Sequence, residues 1–386
     1  PVFFIVPADN SQEAGLVSEI TSLSASSLRE VAEYLQGELD LARVPATDYR
    51  PIAGARHIPD FSDVKGQEFV KRALLVAAAG MHNVLLIGPP GGGKTMLARR
   101  MAGILPEMSR EEVLETTRVY SVANLLNPEN PLVFERPFRS PHKNASSASI
   151  IGGGKVPRPG EISLAQNGVL FLDEFTEFSR DVLEALRQPL EDKVVTVARA
   201  QATCTYPADF CLVAACNPCP CGFYGSTGTQ ECTCTPLQIQ KYLGRISGPL
   251  LDRMDLHVEV PRVQFDQLRD KGDGESSALL REKVNLAREI QARRFARYKI
   301  KLNSQMRPAE LRKFCRLDEE AEGLFKKAFD RLNMSARAHD RVLKVARTIA
   351  DLDASGDIKS QHLAEALRYR SLDRRGMGTV LSSPGR

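Results

Sequence analysis

The chain has 386 residues, a formal net charge of +4, 42% hydrophobic and 26% charged residues, and no tryptophan. This length exceeds one ordinary core and predicts two or three domains, while the composition is typical of a soluble globular protein without an aromatic stacking platform. No apolar run approaches the roughly 20 residues that span a bilayer, so we expect no membrane segment and a cytoplasmic location. The small positive charge permits a nucleic-acid partner without requiring one.

Residues 1–50 alternate between strand-like and helix-like patterns. Phe3 to Val6 predicts a buried strand, and Ser27 to Leu35 predicts a helix with Ser26 or Ser27 as its N-cap and Gly37 as its end. The stretch is too short to bury a core alone, so we interpret it as the remnant of a larger N-terminal domain, followed by a linker rich in proline and arginine.

Residues 51–262 have the pattern of an α/β core with a parallel sheet and helices on both faces. The first elements are a helix from Val64 to Ala79 and a buried strand from Asn83 to Ile87. Residues 263–375 are helix-rich and poor in strand signals, which predicts a separate helical domain. Residues 376–386 are rich in Gly, Ser and Pro and predict a disordered tail.

The segment Gly88–Thr95 matches the phosphate-loop pattern Gly-x-x-x-x-Gly-Lys-Thr, with a strand before it and a helix, Met96 to Ile104, after it. Glycines let backbone amides surround the phosphates, Lys94 reaches the β- and γ-phosphates, and the Thr95 hydroxyl binds Mg²⁺. The segment predicts binding and hydrolysis of a nucleoside triphosphate, namely ATP with Mg²⁺. The predicted nucleotide-contacting residues of the loop are Gly88, Gly91, Gly93, Lys94 and Thr95.

Two carboxylates, Asp173 and Glu174, follow the apolar run Val169 to Leu172. A buried parallel strand delivers its C-terminal residues to the ligand-binding edge of the sheet. We therefore predict that Asp173 holds Mg²⁺, directly or through water. Glu174 is predicted to orient and deprotonate the water that attacks the nucleotide.

Seven of the eight cysteines lie between Cys204 and Cys234. Such a cluster in a nucleotide-binding chain favours a metal site or reduced thiols over a secreted disulfide scaffold. A tetrahedral Zn²⁺ site can be closed by two thiol pairs, Cys219 with Cys221 and Cys232 with Cys234. Cys216 and Cys219 form an alternative pair with the common C-x₂-C spacing, and a redox disulfide or inert thiols also remain open.

These motifs together resemble the AAA+ ATPases of the magnesium-chelatase-like branch and, more closely, the bacterial ComM/YifB family of competence proteins. The resemblance covers nearly the whole chain and includes a Lon-like N-terminal domain, of which residues 1–50 resemble the truncated end. The matching segments are Phe61–Gln67, Arg139–Lys143, Pro159–Leu164, Val169–Phe175, Ala215–Gly222 and Arg245–His257.

The resemblance implies a ring-forming motor, usually a hexamer, with a helical AAA+ lid over residues 263–375. It implies a helicase that promotes branch migration of DNA in natural transformation. Asn217 matches sensor 1, Arg253 the arginine finger that acts on a neighbouring subunit's ATP, and Arg337 sensor 2. A finger supplied by another subunit implies that an isolated monomer hydrolyses ATP poorly.

A small, polar and basic stretch from Arg139 to Gly160 predicts a projecting loop. Arg199 lies in a segment that resembles the hairpin before sensor 1, which faces the pore in this family. We expect single-stranded or branched DNA to be contacted without sequence preference by pore-loop residues. The candidates are Lys143, Lys155, Arg158 and Arg199.

Two other functions remain open at this point. One is a chelatase-type remodeller that uses ATP to drive Mg²⁺ insertion into a porphyrin with partner subunits. The other is a non-enzymatic scaffold gated by ATP. The complete set of Glu174, Asn217, Arg253 and Arg337 argues against the scaffold, and the cysteine loop favours the DNA motor over the chelatase.

Overall fold

A computed structural model of the chain describes residues 3–15, 17, 19–46, 58–127, 132–154, 156–199, 202–225, 230–263, 274–332, 334–370 and 372. Lys155, most of the predicted linker and the predicted tail lie outside the described residues. Two compact units are present, Pro1–Arg56 with Met108–Glu135, and His57–Glu107 with Arg136–Arg386. No helix of the described ranges has the length and apolar character that crossing a bilayer requires.

The helices and strands follow one another in chain order. The first are β1 (Phe3–Pro7), α1 (Ser11–Gly15), β2 (Thr21–Ala25), α2 (Leu28–Gln36), β3 (Ala42–Arg43), α3 (Glu68–Gly80), β4 (Val84–Ile87), α4 (Lys94–Ile104) and α5 (Arg110–Val122). Next are β5 (Phe138–Arg139), α6 (Ser147–Ile151), β6 (Gly152–Gly153), β7 (Arg158–Pro159), α7 (Glu161–Leu164), β8 (Val169–Leu172), α8 (Arg180–Ala185), α9 (Arg187–Asp192), β9 (Val194–Arg199), β10 (Ala202–Pro207) and β11 (Cys211–Cys216). The last are α10 (Pro236–Leu243), α11 (Gly248–Leu251), β12 (Leu256–Glu259), α12 (Ser277–Arg294), α13 (Pro308–Phe314), α14 (Glu319–Leu332), α15 (Ala336–Leu352) and α16 (Ser360–Arg368).

The smaller unit contains a three-stranded sheet in which β2 pairs with β1 in parallel and with β3 in antiparallel orientation. The strand predicted from Phe3 to Val6 is present as β1, but it is not buried, because it lies at the edge of this sheet with Phe3 and Phe4 43% and 53% exposed. The predicted helix is present as α2. Its N-cap is Ser27, whose hydroxyl accepts a hydrogen bond from the N–H of Glu30, and Gly37 ends it in the left-handed conformation. Helix α5 begins with a capping box formed by Ser109 and Glu112.

The larger unit is built on a five-stranded parallel sheet with the order β12-β4-β11-β8-β5. The strands β4, β8 and β11 are buried along their whole length. Helices cover both faces of the sheet, and the side chains of these strands are apolar on both faces. The predicted parallel α/β sheet is therefore confirmed. Since all five strands run in one direction, the segments that follow β4, β8, β11 and β5 meet at one edge.

The C-terminal helices share their core with this sheet. One buried hydrophobic cluster contains Leu74 of α3, Phe171 of β8, Val284 of α12 and Ile349 of α15. This shared core explains why the helical region and the sheet form one compact unit. Residues Met108–Glu135 belong to the other unit, together with the N-terminal residues. The contacts thus define units with limits other than the predicted domains, whose boundaries stay a prediction.

A buried ion pair links the end of the sheet to helix α15. Asp255, 4% exposed, accepts hydrogen bonds from the backbone N–H of Asn83 at 3.0 Å and from the guanidinium of Arg341. Burial by itself raises the pKa of Asp255, but Arg341 and His82 outweigh it and hold this pKa well below its usual range. The pair thus joins helix α15 to the start of β12, two residues after Arg253.

We expect the substitution Asp255→Asn to lower the free energy of unfolding by about 3–5 kcal/mol, because Arg341 would remain half-buried without its carboxylate. Because the pKa of Asp255 is lower in the folded than in the unfolded state, this wild-type advantage is complete above about pH 4 and shrinks as the pH falls. Urea unfolding followed by circular dichroism measures both effects.

The matched control is Glu289→Gln, which breaks an ion pair with Arg293 on α12 in which the two side chains are 62% and 77% exposed. We expect a change below about 1 kcal/mol for this surface pair. Equal losses for the two substitutions would contradict the role assigned to Asp255.

Candidate nucleotide-binding site

The phosphate loop lies between the end of β4 and the start of α4, as predicted. Gly91 and Gly93 have φ angles of 74° and 83°, in the left-handed region that glycine enters without steric cost. Lys94 is buried, and its Nζ donates to the carbonyl oxygens of Gly88 and Pro89 at 2.7 and 3.0 Å. Burial lowers the pKa of the Lys94 amine, and the carboxylates beyond the loop oppose this shift. The ammonium group is thus held within the phosphate loop, where phosphate oxygens of a bound nucleotide would replace the carbonyl oxygens as its hydrogen-bond acceptors.

Thr95 and Asp173 lie side by side, although they come from different elements. The Thr95 hydroxyl in the first turn of α4 donates to the Asp173 carboxylate at 2.6 Å. Hydroxyl and carboxylate oxygens are the hard ligands that Mg²⁺ prefers, so this pair fits the predicted cation. Bound there, Mg²⁺ would neutralise charge on the phosphates.

Glu174 has an unusual backbone conformation next to Asp173. Its φ is 51°, which costs a residue with a side chain about 1–2 kcal/mol. Its N–H donates to the carboxylate of Asp173 at 2.9 Å, which helps to offset that cost. The carboxylate of Glu174 is about half exposed and accepts a hydrogen bond from Lys143 Nζ at 2.5 Å. The predicted base is therefore at the sheet edge, with a lysine as its partner.

Two amide side chains contact the phosphate loop. Asn217, directly after β11, accepts a hydrogen bond from Lys94 Nζ at 3.1 Å, which places the predicted sensor at the loop. Gln67 donates to the carbonyl oxygens of Gly92 and Pro261 at 2.9 and 3.0 Å. No donor of the described chain reaches its buried Oε1. No role for Gln67 is predicted from the sequence, although Gln67 ends one of the segments that carry the family resemblance.

Arg253 is hydrogen-bonded to α9 and α11. It is 8% exposed and donates to the carbonyl oxygens of Arg187 at 3.1 Å and Pro249 at 2.7 Å, and to the carboxylate of Glu191. None of these partners belongs to the phosphate loop. The assigned role of Arg253 toward a neighbouring subunit stays a prediction.

Arg337 lies in the first turn of α15 and is exposed. One turn later, Arg341 forms the ion pair with Asp255 and donates to the carbonyl oxygen of Arg253 at 3.3 Å. Arg341, Asp255 and Glu191 could not be predicted as partners of these contacts, because a single sequence does not show which distant carboxylate an arginine binds.

The predicted DNA-contacting residues lie in two segments. Arg199 ends β9, which pairs with β10 as an antiparallel hairpin, so the predicted hairpin is present. Lys143 is in the segment after β5 and pairs with Glu174, and Arg158 is exposed in the short strand β7. The predicted projecting loop also contains α6, whose Ile150 is buried. It is therefore partly packed, since an apolar residue anchors it.

The four predicted zinc ligands lie together. The Sγ atoms of Cys219, Cys221, Cys232 and Cys234 are all within 4.8 Å of one another. Three of these separations are 3.3, 3.7 and 3.6 Å, close to the ~3.8 Å expected between thiolates around a tetrahedral zinc with bonds of about 2.3 Å. A disulfide bond would require about 2.05 Å. The alternative ligand Cys216 does not belong to this group of four. Its side chain is buried in β11, and burial raises the pKa of its thiol to about 12.

The sheet order and the site together define a P-loop ATPase fold of the AAA+ class. The strand that leads into the phosphate loop lies between β12 and β11, and β8 with its two carboxylates lies next to β11. This arrangement brings Lys94, Thr95, Asp173, Glu174 and Asn217 to one edge.

Comparisons with known proteins identify the branch of this class. Residues 60–268 match the family model for magnesium chelatase subunit ChlI, and residues 274–370 match its C-terminal region. The chain is 48% identical to competence protein ComM of Haemophilus influenzae over 96% of this chain and 72% of that protein. It is 47% identical to the uncharacterized protein YifB of Escherichia coli over 96% of this chain and 71% of that one. The chain belongs to the magnesium-chelatase-like family of ComM and YifB.

The family implies an ATPase with ATP and Mg²⁺ as its cofactors. A more distant relative is the magnesium-chelatase 38 kDa subunit of Rhodobacter capsulatus, 27% identical over 60% of this chain and 66% of that protein.

Proposed function

We propose that this chain is a ring-forming, ATP-driven DNA motor, a branch-migration helicase that acts in natural transformation and homologous recombination. The observation that carries the proposal is its 48% identity, over 96% of its length, with a protein named for competence. The nucleotide site supports it, because lysine, acidic pair and sensor amide all lie at one sheet edge. The chelatase alternative rests on 27% identity over 60% of the chain and is therefore the weaker hypothesis.

A ring, most simply a hexamer, is part of this proposal, because the family resemblance assigns Arg253 to a neighbouring subunit's ATP. The groups that hold Arg253 among the described residues, Arg187, Pro249 and Glu191, lie outside the phosphate loop. An ATP site completed by this arginine therefore requires another subunit, as in other P-loop enzymes that receive an arginine in trans. Gel filtration with ATP and Mg²⁺ tests assembly directly.

The deciding experiment measures ATP-dependent movement of a four-way DNA junction. We expect the wild-type protein to bind forked or single-stranded DNA and to move the junction, with ATP turnover stimulated by DNA. The Glu174→Gln protein should bind the same DNA without moving it. A wild-type protein that neither binds such DNA nor moves the junction would reject the motor.

The hairpin β9–β10 gives a prediction about how DNA is held. If Arg199 contacts a phosphate, Arg199→Ala weakens binding equally on unrelated sequences and lowers the salt slope of log K by about 1. Fluorescence anisotropy over a salt series measures both quantities. The control is Arg29→Ala in the smaller unit, whose side chain is 87% exposed and which should leave the slope unchanged. Identical slopes for all three proteins would exclude Arg199 from the interface.

The proposal includes a structural Zn²⁺ held by Cys219, Cys221, Cys232 and Cys234. The mutual approach of the four Sγ atoms supports it. We expect metal analysis of protein purified without chelators to find one zinc per chain, and Cys234→Ser to lose most of it. The control is Cys315→Ser, at a buried cysteine in another part of the fold, which should keep its zinc. Wild-type protein without zinc would remove this part of the proposal.

A further inference from the structure

The chain segment that leads into the cysteine cluster runs along the phosphate loop. At the end of β11, the carbonyl oxygen of Cys216 accepts a hydrogen bond from the N–H of Gly88 at 3.2 Å. The next residue, Asn217, accepts from Lys94 Nζ at 3.1 Å. Cys219, the first cluster cysteine, follows only two positions later and is completely buried. The cluster and the nucleotide site therefore share one short, well-packed segment.

A third contact comes from Gly222, which follows the second cysteine of the cluster. A Cβ atom added to Gly222 would lie 2.6 Å from Cδ of Pro90 in the phosphate loop. Atoms at that distance overlap, and the proline ring cannot turn aside as a flexible side chain would. The segment Cys219–Gly225, the cysteine loop, thus packs directly on the phosphate loop through the backbone of Gly222.

The position of Gly222 depends in turn on the cluster. Its N–H donates to the carbonyl oxygen of Cys219 at 3.0 Å and lies 3.2 Å from the Cys219 Sγ atom. The φ of Gly222 is +88°, a conformation that glycine adopts readily. A metal bound to Cys219 and Cys221 therefore fixes the turn that supports Pro90.

We propose that the four-cysteine site is a regulatory metal site for the ATPase: bound Zn²⁺ holds the cysteine loop against Pro90 and Asn217, so that zinc occupancy sets the affinity for ATP. A metal that joins Cys219 and Cys221 to Cys232 and Cys234 holds the turn at Gly222 in one position. Without metal, the turn at Gly222 has to be fixed against Pro90 when ATP binds, and the free energy that this requires lowers the affinity for ATP. The inference rests on the proposed zinc site and is independent of any activity on DNA.

The first test uses the full chain and zinc alone. Protein stripped with a chelator, and then freed of it, is titrated with a fluorescent ATP analogue in the presence of Mg²⁺. We expect the stripped protein to bind the analogue about tenfold more weakly or worse, and one equivalent of Zn²⁺ to restore the affinity. Equal affinity before and after zinc addition would overturn the inference.

The second test separates contact with the phosphate loop from strain within the cysteine loop. Gly222→Ala and Gly225→Ala both place a side chain at positive φ, +88° and +73°. Only the first meets Pro90, since no heavy atom of the described residues lies within 4 Å of a Cβ at Gly225. We expect both variants to keep one zinc per chain. Gly222→Ala should lose about tenfold in ATP affinity and Gly225→Ala less than about twofold.

Circular dichroism and melting temperature show whether both variants fold. Equal ATP affinities for two folded, zinc-loaded variants would contradict the proposed contact. A wild-type chain that binds no zinc would contradict both the proposed zinc site and the regulatory role inferred from it. A chain that binds zinc and ATP in the expected way yet moves no DNA junction would leave this inference standing while the proposed motor function fails.

Discussion

Replacing Glu174 by glutamine should lower the rate of ATP hydrolysis by about 10²–10⁴-fold while ATP binding and ring assembly persist. Glutamine keeps the size of the side chain and can still hydrogen-bond, but it cannot accept the proton of the attacking water. The carboxylate of Glu174 is half exposed and makes its described contact with Lys143, so the fold does not depend on its charge. Its strained backbone is supported by Asp173, which the substitution leaves in place.

Three measurements test this expectation: steady-state ATP hydrolysis, binding of a fluorescent ATP analogue, and gel filtration with nucleotide. Glu177→Gln is the matched control, because Glu177 lies three residues further on and is also paired on the surface, with Arg245. The control should hydrolyse ATP at nearly the wild-type rate. Normal turnover by the Glu174→Gln protein would reject Glu174 as the base.

The second large effect concerns Arg253. If it completes a neighbouring subunit's site, Arg253→Ala lowers kcat by about 10³-fold or more, because charge that develops on the γ-phosphoryl group is no longer neutralised. The structure also permits a purely structural role, since Arg253 is buried and paired with Glu191. A loss of activity alone does not distinguish the two roles.

Mixing two inactive variants distinguishes them. An Arg253→Ala subunit keeps its own Glu174, and a Glu174→Gln subunit supplies an intact Arg253, so a mixed ring contains complete sites. We expect the mixture to recover a substantial part of the ATPase activity that neither protein has alone. Absence of any recovery, despite shown co-assembly, would contradict an arginine that acts between subunits.

A further control removes the partner of Arg253 within its chain. Under a structural role, Glu191→Gln should resemble Arg253→Ala in melting temperature and in activity, because either change breaks the same ion pair. Under the role in trans, Glu191→Gln should keep activity close to wild type, because the arginine is still present. The two substitutions measured side by side give opposite outcomes for the two hypotheses.

Lys143 shows how a residue type can be predicted without its partner. Lys143 is predicted to contact DNA because it is a basic residue of a projecting segment, whereas in the structure it pairs with Glu174. The contact arises because β5 and β8 are neighbours in the sheet and both end at the same edge. The strand order therefore decides that Lys143 lies next to the carboxylate of Glu174.

Local sequence patterns were sufficient to predict the phosphate loop, the acidic pair after β8, the sensor position after β11 and the two cysteine pairs. Each is a local pattern in which neighbouring residues at a strand end or on a loop carry the chemistry. Other contacts became visible only in the folded chain: Gln67 contacts the phosphate loop, Glu191 and Asp255 pair with Arg253 and Arg341, and Gly222 packs against Pro90. These contacts join segments far apart in the chain, and they depend on strand order and helix packing. A single sequence does not indicate such pairs, because the packing that brings them together depends on the whole core. A motif, in contrast, consists of a few adjacent residues.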